Sequence, residues 1–193
     1  MAQTLERTVE QLVRQVAGSY FGKYRGIVTD NQDPEKLCRI MAQVPAVMGE
    51  TAVGWALPAF PLAGDGHGHV MLPEVGSAVW IEFEAGNLNS PIWSGGFFLA
   101  SQSPPDPQGV GIRVIVSKNK HRVVLDDESD EVTVTHNGGS EIKLTATEIS
   151  LTVGGSTIVM GLASIDINNG VVKIGPGGVS LAMGAMTLGV PPT

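Results

Sequence analysis

Residues 158–188 read IVMGLASIDINNGVVKIGPGGVSLAMGAMTL, and the spacing of their apolar side chains decides the fold. Apolar residues come in pairs two apart: Ile158 and Met160, Ile165 and Ile167, Val172 and Ile174, Val179 and Leu181, Met186 and Leu188. The first member recurs at a step of seven, and Gly161, Asn168, Gly175 and Gly189 follow the second. A heptad coiled coil would set its apolar residues three and four apart. Two apart instead places both side chains on one face of a strand. The β-branched residues and the glycines also oppose a helix. Each unit is therefore a short strand and a tight turn, repeated.

The same pairing extends upstream through Val123 and Leu125, Val132 and Val134, Ile142 and Leu144, and Ile149 and Leu151. A strand with two inward side chains leaves its apolar face wet and its edges unpaired unless something closes it. Two closures are open. The chain could coil on itself with three strands per turn, or three copies could wind round one axis, each supplying one wall. The trimer uses all nine repeats along its length. In it, Ile149, Leu151, Ile158, Met160, Ile165, Ile167, Val172, Ile174, Val179 and Leu181 line the axis. Lys173 is on the outward face, and a Lys173→Asp change is expected to be tolerated there. From Leu151 to the end only Asp166 and Lys173 carry charge. The repeat region is expected to be a stiff, nearly uncharged rod.

Toward the N-terminus the texture changes. Residues 101–109 contain Pro104, Pro105 and Pro107 and read as a stiff linker. Residues 24–100 read as about five strands broken by turns, including Gly26–Thr29, Leu37–Val44 and Ala78–Phe83. That number in so short a stretch fits a small OB-type barrel. Residues 1–23 carry Leu5, Val9, Leu12, Val13 and Val16 at helical spacing, with Thr4 as a cap. This amphipathic helix is expected either to pack on its own domain or to dock on a partner. The division is thus 1–23 helix, 24–100 barrel, 101–109 linker and 110–193 repeat, a mainly β chain.

Composition agrees and excludes alternatives. Of 193 residues 25 are glycine, only 5% are aromatic and 16% are charged, which suits repeated short β units. No apolar run approaches the roughly 20 residues needed to span a bilayer. The first ten residues lack a basic start followed by an apolar stretch, so no secretory signal is expected and synthesis is cytoplasmic. Cys38 is the only cysteine, so no intrachain disulfide forms.

Chemistry-bearing motifs are sparse. His67-Gly68-His69 has no Cys or carboxylate cluster at ligand spacing and reads as a polar loop, without metal. Asp126 to Glu131 lacks the alternating oxygen ligands and central glycine of a calcium loop and reads as a solvated turn. An OB barrel binding single-stranded nucleic acid, or a glycan-binding module with a β-solenoid appendage, is the rival class. Between residues 24 and 100, Arg25, Lys36 and Arg39 face eight acids, a balance of 3 − 8 = −5 that repels polyanions. No nucleophile elbow, zincin motif or carboxylate pair appears, so no catalytic residues and no cofactor are expected.

Several stretches resemble the central spikes of contractile tails. They are Tyr24-Arg25-Gly26-Ile27-Val28, Asp33-Pro34, Arg39-Ile40, Val44-Pro45, Pro73-Glu74-Val75-Gly76, Trp80-Ile81-Glu82-Phe83-Glu84, Gly95-Gly96 and Lys120 to Asp127. The chain is similar to the phage baseplate assembly protein V family, related to type VI secretion spikes. The resemblance implies OB barrels and an intertwined β-prism in a homotrimer. It also implies a structural, non-enzymatic spike that punctures a target envelope, with hub and inner-tube proteins as partners in a phage-tail-like particle. Larger type VI spikes carry a hub domain before the barrel; only the short helix precedes it here, so the hub is expected to be a separate protein, and the linker leaves no room for a lysozyme domain. In related machines a small tip protein of the proline-alanine-alanine-arginine (PAAR) type caps the end of the prism. Met186, Leu188, Val190, Pro191, Pro192 and Thr193 are the expected docking residues here.

Overall fold

A computed structural model describes residues 7–10, 13, 16 and 18–181, together with the backbone of 186–189. Two compact units divide at Ser103 and Pro104.

The first unit is built on a five-stranded sheet in the order β2-β1-β6-β7-β3. Its strands are β1 (Tyr24–Asp30), β2 (Met41–Gln43), β3 (Leu57–Pro58), β6 (Ala78–Phe83) and β7 (Pro91–Gly96). A short helix α1 (Pro45–Met48) follows β2, and β4 (Ala63–Gly64) pairs with β5 (His67–Gly68) as a separate hairpin. Alternation along β6 sends Val79, Ile81 and Phe83 inward. They meet Val28, Ile40, Ala42, Val44, Val53, Ala56 and Trp93 in a core from which the described polar side chains are absent. Gly26 is required where β1 crosses this core. A Cβ there would stand 2.9 Å from Ile81 Cγ1 and 3.4 Å from Ala42 Cβ.

Two expectations need correction. Leu37 to Val44 is not one strand; the ladder begins at Met41, after an isolated bridge between Ile40 and Ala56. The Asp33 carboxylate gathers the backbone N–H groups of Glu35, Leu37 and Arg39, and Lys36 and Cys38 adopt positive φ. That geometry makes a turn, which strand pairing cannot use. The His67-Gly68-His69 stretch is likewise no plain loop, since β5 begins at His67.

Residues 7–10, 13 and 16 are helical, whereas 18–23 are not: the Tyr20 N–H donates to the Gly86 carbonyl at the barrel. Val9, Val13 and Val16, the described members of the stripe, are exposed. Thr4, Leu5 and Leu12 lie outside the described residues.

The second unit is a ten-stranded antiparallel sheet in strict chain order. It runs β8 (Ile112–Val116), β9 (Arg122–Asp126), β10 (Glu131–Thr135), β11 (Glu141–Leu144), β12 (Glu148–Val153) and β13 (Ser156–Gly161). Then come β14 (Ile165–Ile167), β15 (Val172–Gly175), β16 (Gly178–Leu181) and β17 (Met186–Gly189). Each strand pairs with the next in sequence. Coiling on itself with three strands per turn would pair each strand with the third one on, so the described residues exclude that closure. Tight turns set the register: Gly154-Gly155 alone joins Val153 to its partner Ser156, and Gly154 has φ of 58°. β8 is a tenth unit that the nine apolar pairs omit.

Candidate functional site

The informative surface is one face of the ten-stranded sheet. Ile158 stands opposite Ile167, Ile167 opposite Val172, and Val172 opposite Leu181. Met160 stands opposite Ile165, Ile165 opposite Ile174, and Ile174 opposite Val179. Because neighbouring strands are antiparallel, the first member of one pair meets the second member of the next. The step of seven therefore weaves two apolar rows across the sheet. Upstream the rows continue through Ile149, Leu144, Val132 and Leu125, and through Leu151, Ile142, Val134 and Val123. Downstream, Met186 and Leu188 hold the matching register positions; their side chains lie outside the described residues, as do Val190, Pro191, Pro192 and Thr193. The ten residues expected on the axis thus share one face.

The reverse face carries Thr133, Lys143, Ser150, Val159, Asp166, Lys173 and Ser180 in a single row of partners. Lys143 donates to Glu131 at 2.7 Å, which raises the Lys143 pKa. Asp166 is the direct partner of Lys173. A Lys173→Asp change would therefore set two acids opposite each other, so it is not the silent control expected from the sequence. At β8 the pattern inverts: Arg113 stands opposite Leu125, while Val114 stands opposite the buried Val124 on the reverse face.

Nine side chains of the apolar rows, Leu125 to Ile174, are 37–42% exposed in the single chain. At roughly 65 Å² each and about 25 cal/mol per Å², covering them stabilises by on the order of 15 kcal/mol per chain. A contiguous apolar face of that size marks an interface.

The barrel holds its own electrostatic clasp. Arg39 Nη2 donates to Asp33 Oδ1 at 2.6 Å, Arg39 Nε donates to both Asp33 oxygens at 3.1 Å, and Arg39 lies over the Trp55 ring. The Arg39 hydrogen bond, helped by three backbone N–H donors, holds the Asp33 carboxyl well below the usual carboxylate range. A depressed folded pKa contributes stability that is full above the ordinary value of 3.8 and is lost as pH falls below it. Asp33→Asn is therefore expected to lower the thermal midpoint of the barrel at pH 7, with the gap closing as pH drops below 4. A gap that stays constant down to pH 3 would show that the charge is not what holds the loop.

The remaining clusters have structural explanations. Lys23 bridges to Glu82 and donates to Ser94 Oγ at 2.7 Å, and Ser94 in turn donates to Glu82 at 2.7 Å. A serine beside a lysine suggests a nucleophile and its base, but a base must be neutral, and this lysine is paired with a carboxylate. Lys23 lowers the Glu82 pKa. His67 Nδ1 lies 3.1 Å from the Asp65 carbonyl within the hairpin turn. Asp126 Oδ1 accepts the N–H groups of Glu128 and Ser129, and its pKa is lowered chiefly by the Ser129 side chain. Among the described residues no group of three or more His, Cys, Asp or Glu could hold a metal ion.

The injector OB domain of type VI secretion systems and phage baseplates matches residues 24–98. The phage baseplate V C-terminal trimerisation domain matches residues 113–173. The chain belongs to the phage baseplate V family. Its two matched segments fall in the two units separately, the barrel and the ten-stranded sheet. The second supports a homotrimer. Membership gives a structural role in an injection baseplate, within a phage-tail-like particle. No individual curated protein matches the chain. No helix among the described residues is long and apolar enough to cross a membrane.

Sequence reasoning paired all nine repeats but named as axis residues only those from Ile149 onward, and the ladder places the upstream pairs on the same face. The signal was present, because Val123 to Leu144 carry the same spacing of two. It also missed a pair of imidazoles, His121 and His136, which stand at the margin of the same face.

Proposed function

We propose that the homotrimer is the rigid spike that punctures the target envelope, and that it carries a separate tip protein of the proline-alanine-alanine-arginine type. The observation that carries the reading is the pair of unbroken apolar rows on one face of a sheet whose reverse face, from β10 to β16, is polar apart from Val159. Three such walls, wound about one axis with their rows inward, form a prism whose side chains interdigitate at each level. Separating the chains then exposes every level at once, which suits a part that transmits force. The hub and inner tube are its expected neighbours in the baseplate.

Met186, Leu188, Val190, Pro191, Pro192 and Thr193 are proposed to contact the tip protein. The segment offers Met and Leu to an apolar partner and contains no His, Cys or acid to bind a metal. Light scattering at micromolar concentration is expected to give about 60 kDa, three times the 20.2 kDa chain. Removing residues 188–193 should leave that mass class unchanged and abolish pull-down of the cognate tip protein. A particle of one chain would end the trimeric spike; undiminished capture by the truncated trimer would end the docking assignment.

A further inference from the structure

Two asparagines of the chain, Asn137 and Asn169, are followed by glycine. Asparagine is thermolabile because its side-chain amide is open to attack by the next backbone nitrogen, and glycine there has no side chain to hinder the approach. Both Asn-Gly steps fall in turns of the ten-stranded sheet, and in both the glycine N–H donates a hydrogen bond. The acceptors differ, and that difference separates the two sites.

Asn137-Gly138-Gly139 joins β10 to β11. The His136 N–H donates to the Ser140 carbonyl at 2.8 Å, the Gly139 N–H donates to the His136 carbonyl at 2.9 Å, and Gly139 has φ of 88°. Asn137 and Gly138 are exposed. The Gly138 N–H donates to His136 Nδ1 at 3.0 Å, a nitrogen lone pair that carries no charge.

The turn from β14 to β15 is held more firmly. The Asn168 N–H donates to the Thr157 carbonyl at 2.9 Å, and Asn168 Oδ1 accepts the Thr157 N–H at 2.8 Å. The Val171 N–H donates to the Asn168 carbonyl at 3.3 Å, and Asn168, Asn169 and Gly170 all have positive φ. The half-buried Gly170 N–H donates to Asp166 Oδ1 at 2.6 Å, so its acceptor is a carboxylate.

The attacking nucleophile is the glycine amide after it has lost its proton. A hydrogen-bond acceptor on that N–H favours the protonated form, and a charged acceptor does so about twice as strongly as a neutral one. A carboxylate also repels the amide anion that has to form beside it. Asp166 opposes the reaction on both counts, and His136 Nδ1 only on the first and more weakly.

We propose that Asn137 is a site of spontaneous deamidation in the folded protein, and that Asp166 shields Asn169 from the same reaction. The Gly138 nitrogen bonds to Asn137 Cγ, the Cγ–Nδ2 bond breaks, and Nδ2 leaves as ammonia with the proton that Gly138 gave up. Water then opens the five-membered imide at either carbonyl, giving aspartate or isoaspartate, with no oxidant or reductant consumed. Each conversion adds one negative charge, taking the chain from −7 to −7 − 1 = −8. The isoaspartate product also routes the main chain through Cβ, which lengthens the short connection between the register partners Thr135 and Glu141.

The test is incubation of the full-length trimer at pH 8, with peptides mapped by mass spectrometry for the replacement of NH by O. In chains unfolded by urea both sites should convert at similar rates, because only the Asn-Gly step acts there. In the native protein Asn137 should convert faster than Asn169 by on the order of tenfold, the margin of a charge-assisted over a neutral hydrogen bond. Asp166→Ala should raise the Asn169 rate toward that of Asn137, whereas Lys173→Gln, which leaves Asp166 on Gly170, should not. Ion exchange of the aged trimer should resolve forms with zero to three added charges, and Asn137→Gln should abolish that ladder. An Asn137 that stays intact in the native protein, or converts no faster than Asn169, overturns the proposal. An Asn169 rate unmoved by Asp166→Ala in an assembled protein overturns the shielding; if that variant does not assemble, the native order against the urea control decides. A ladder that stops at one added charge would overturn the trimeric reading and leave the deamidation standing.

Discussion

Val172→Asp yields chains that do not assemble, the largest effect expected from any single substitution in the sheet. Val172 lies in the middle of one apolar row, between Ile167 and Leu181. In the trimer the change sets three carboxylates into one apolar level. Each buried, unpaired charge costs several kcal/mol, and the three repel one another as well. Against roughly 15 kcal/mol per chain from covering the rows, that penalty removes most of the driving force. Light scattering of the variant should give single chains or non-specific aggregate. Lys173→Gln is the matched control: it keeps the reverse face polar and removes only the cross-strand attraction to Asp166, a loss of about 0.2–1 kcal/mol. If Val172→Asp formed trimers with wild-type resistance to urea, the apolar rows would not face the axis.

Trp93→Ala should unfold the barrel while leaving the trimer assembled. The Trp93 side chain is 4% exposed, meets Phe60 edge-on at 5.3 Å, and donates from Nε1 to the Cys38 carbonyl at 3.2 Å. Its removal leaves a cavity in the core and an unmatched carbonyl in the loop that Asp33 organises. Truncation of a buried aromatic of this size costs about 3–5 kcal/mol, a large part of the stability of a small domain. The buried core cluster lies wholly in the first of the two compact units, so the loss should not spread to the sheet. Calorimetry of the wild-type protein is expected to show two transitions, and the variant should lose or lower only the one belonging to the barrel. A variant with both transitions displaced equally would mean that the units unfold as one.

Much of this architecture is legible in the sequence because its signals are local. A spacing of two identifies the strand face at each repeat from three residues, and glycine or asparagine often marks where a strand must turn. The barrel core is legible in the same way along Ala78 to Phe83. The N-terminal limit of β2 is not, because the backbone N–H groups that would extend it are taken by the Asp33 carboxylate. β8 is hidden for a different reason. Ile112, Val114 and Val116 point to the reverse face beside Val124, so their spacing matches the repeat but their orientation opposes it. The stacking of His121 and His136 joins residues fifteen positions apart and emerges only once β9 and β10 are paired.

The sequence by itself determined that residues from Val123 onward form short strands with one apolar and one polar face. Alternation along an extended backbone is an intrinsic property of the chain and needs no partner to define it. Which strand pairs with which was decided only by the tertiary structure. The same apolar pairs fit a coil joining each strand to the third one on or a meander joining it to the next, because side-chain period specifies a face and not a neighbour. Two-residue turns such as Gly154-Gly155 return the chain at once beside the strand it has just left. They impose the antiparallel ladder and leave the apolar face open for other copies to cover.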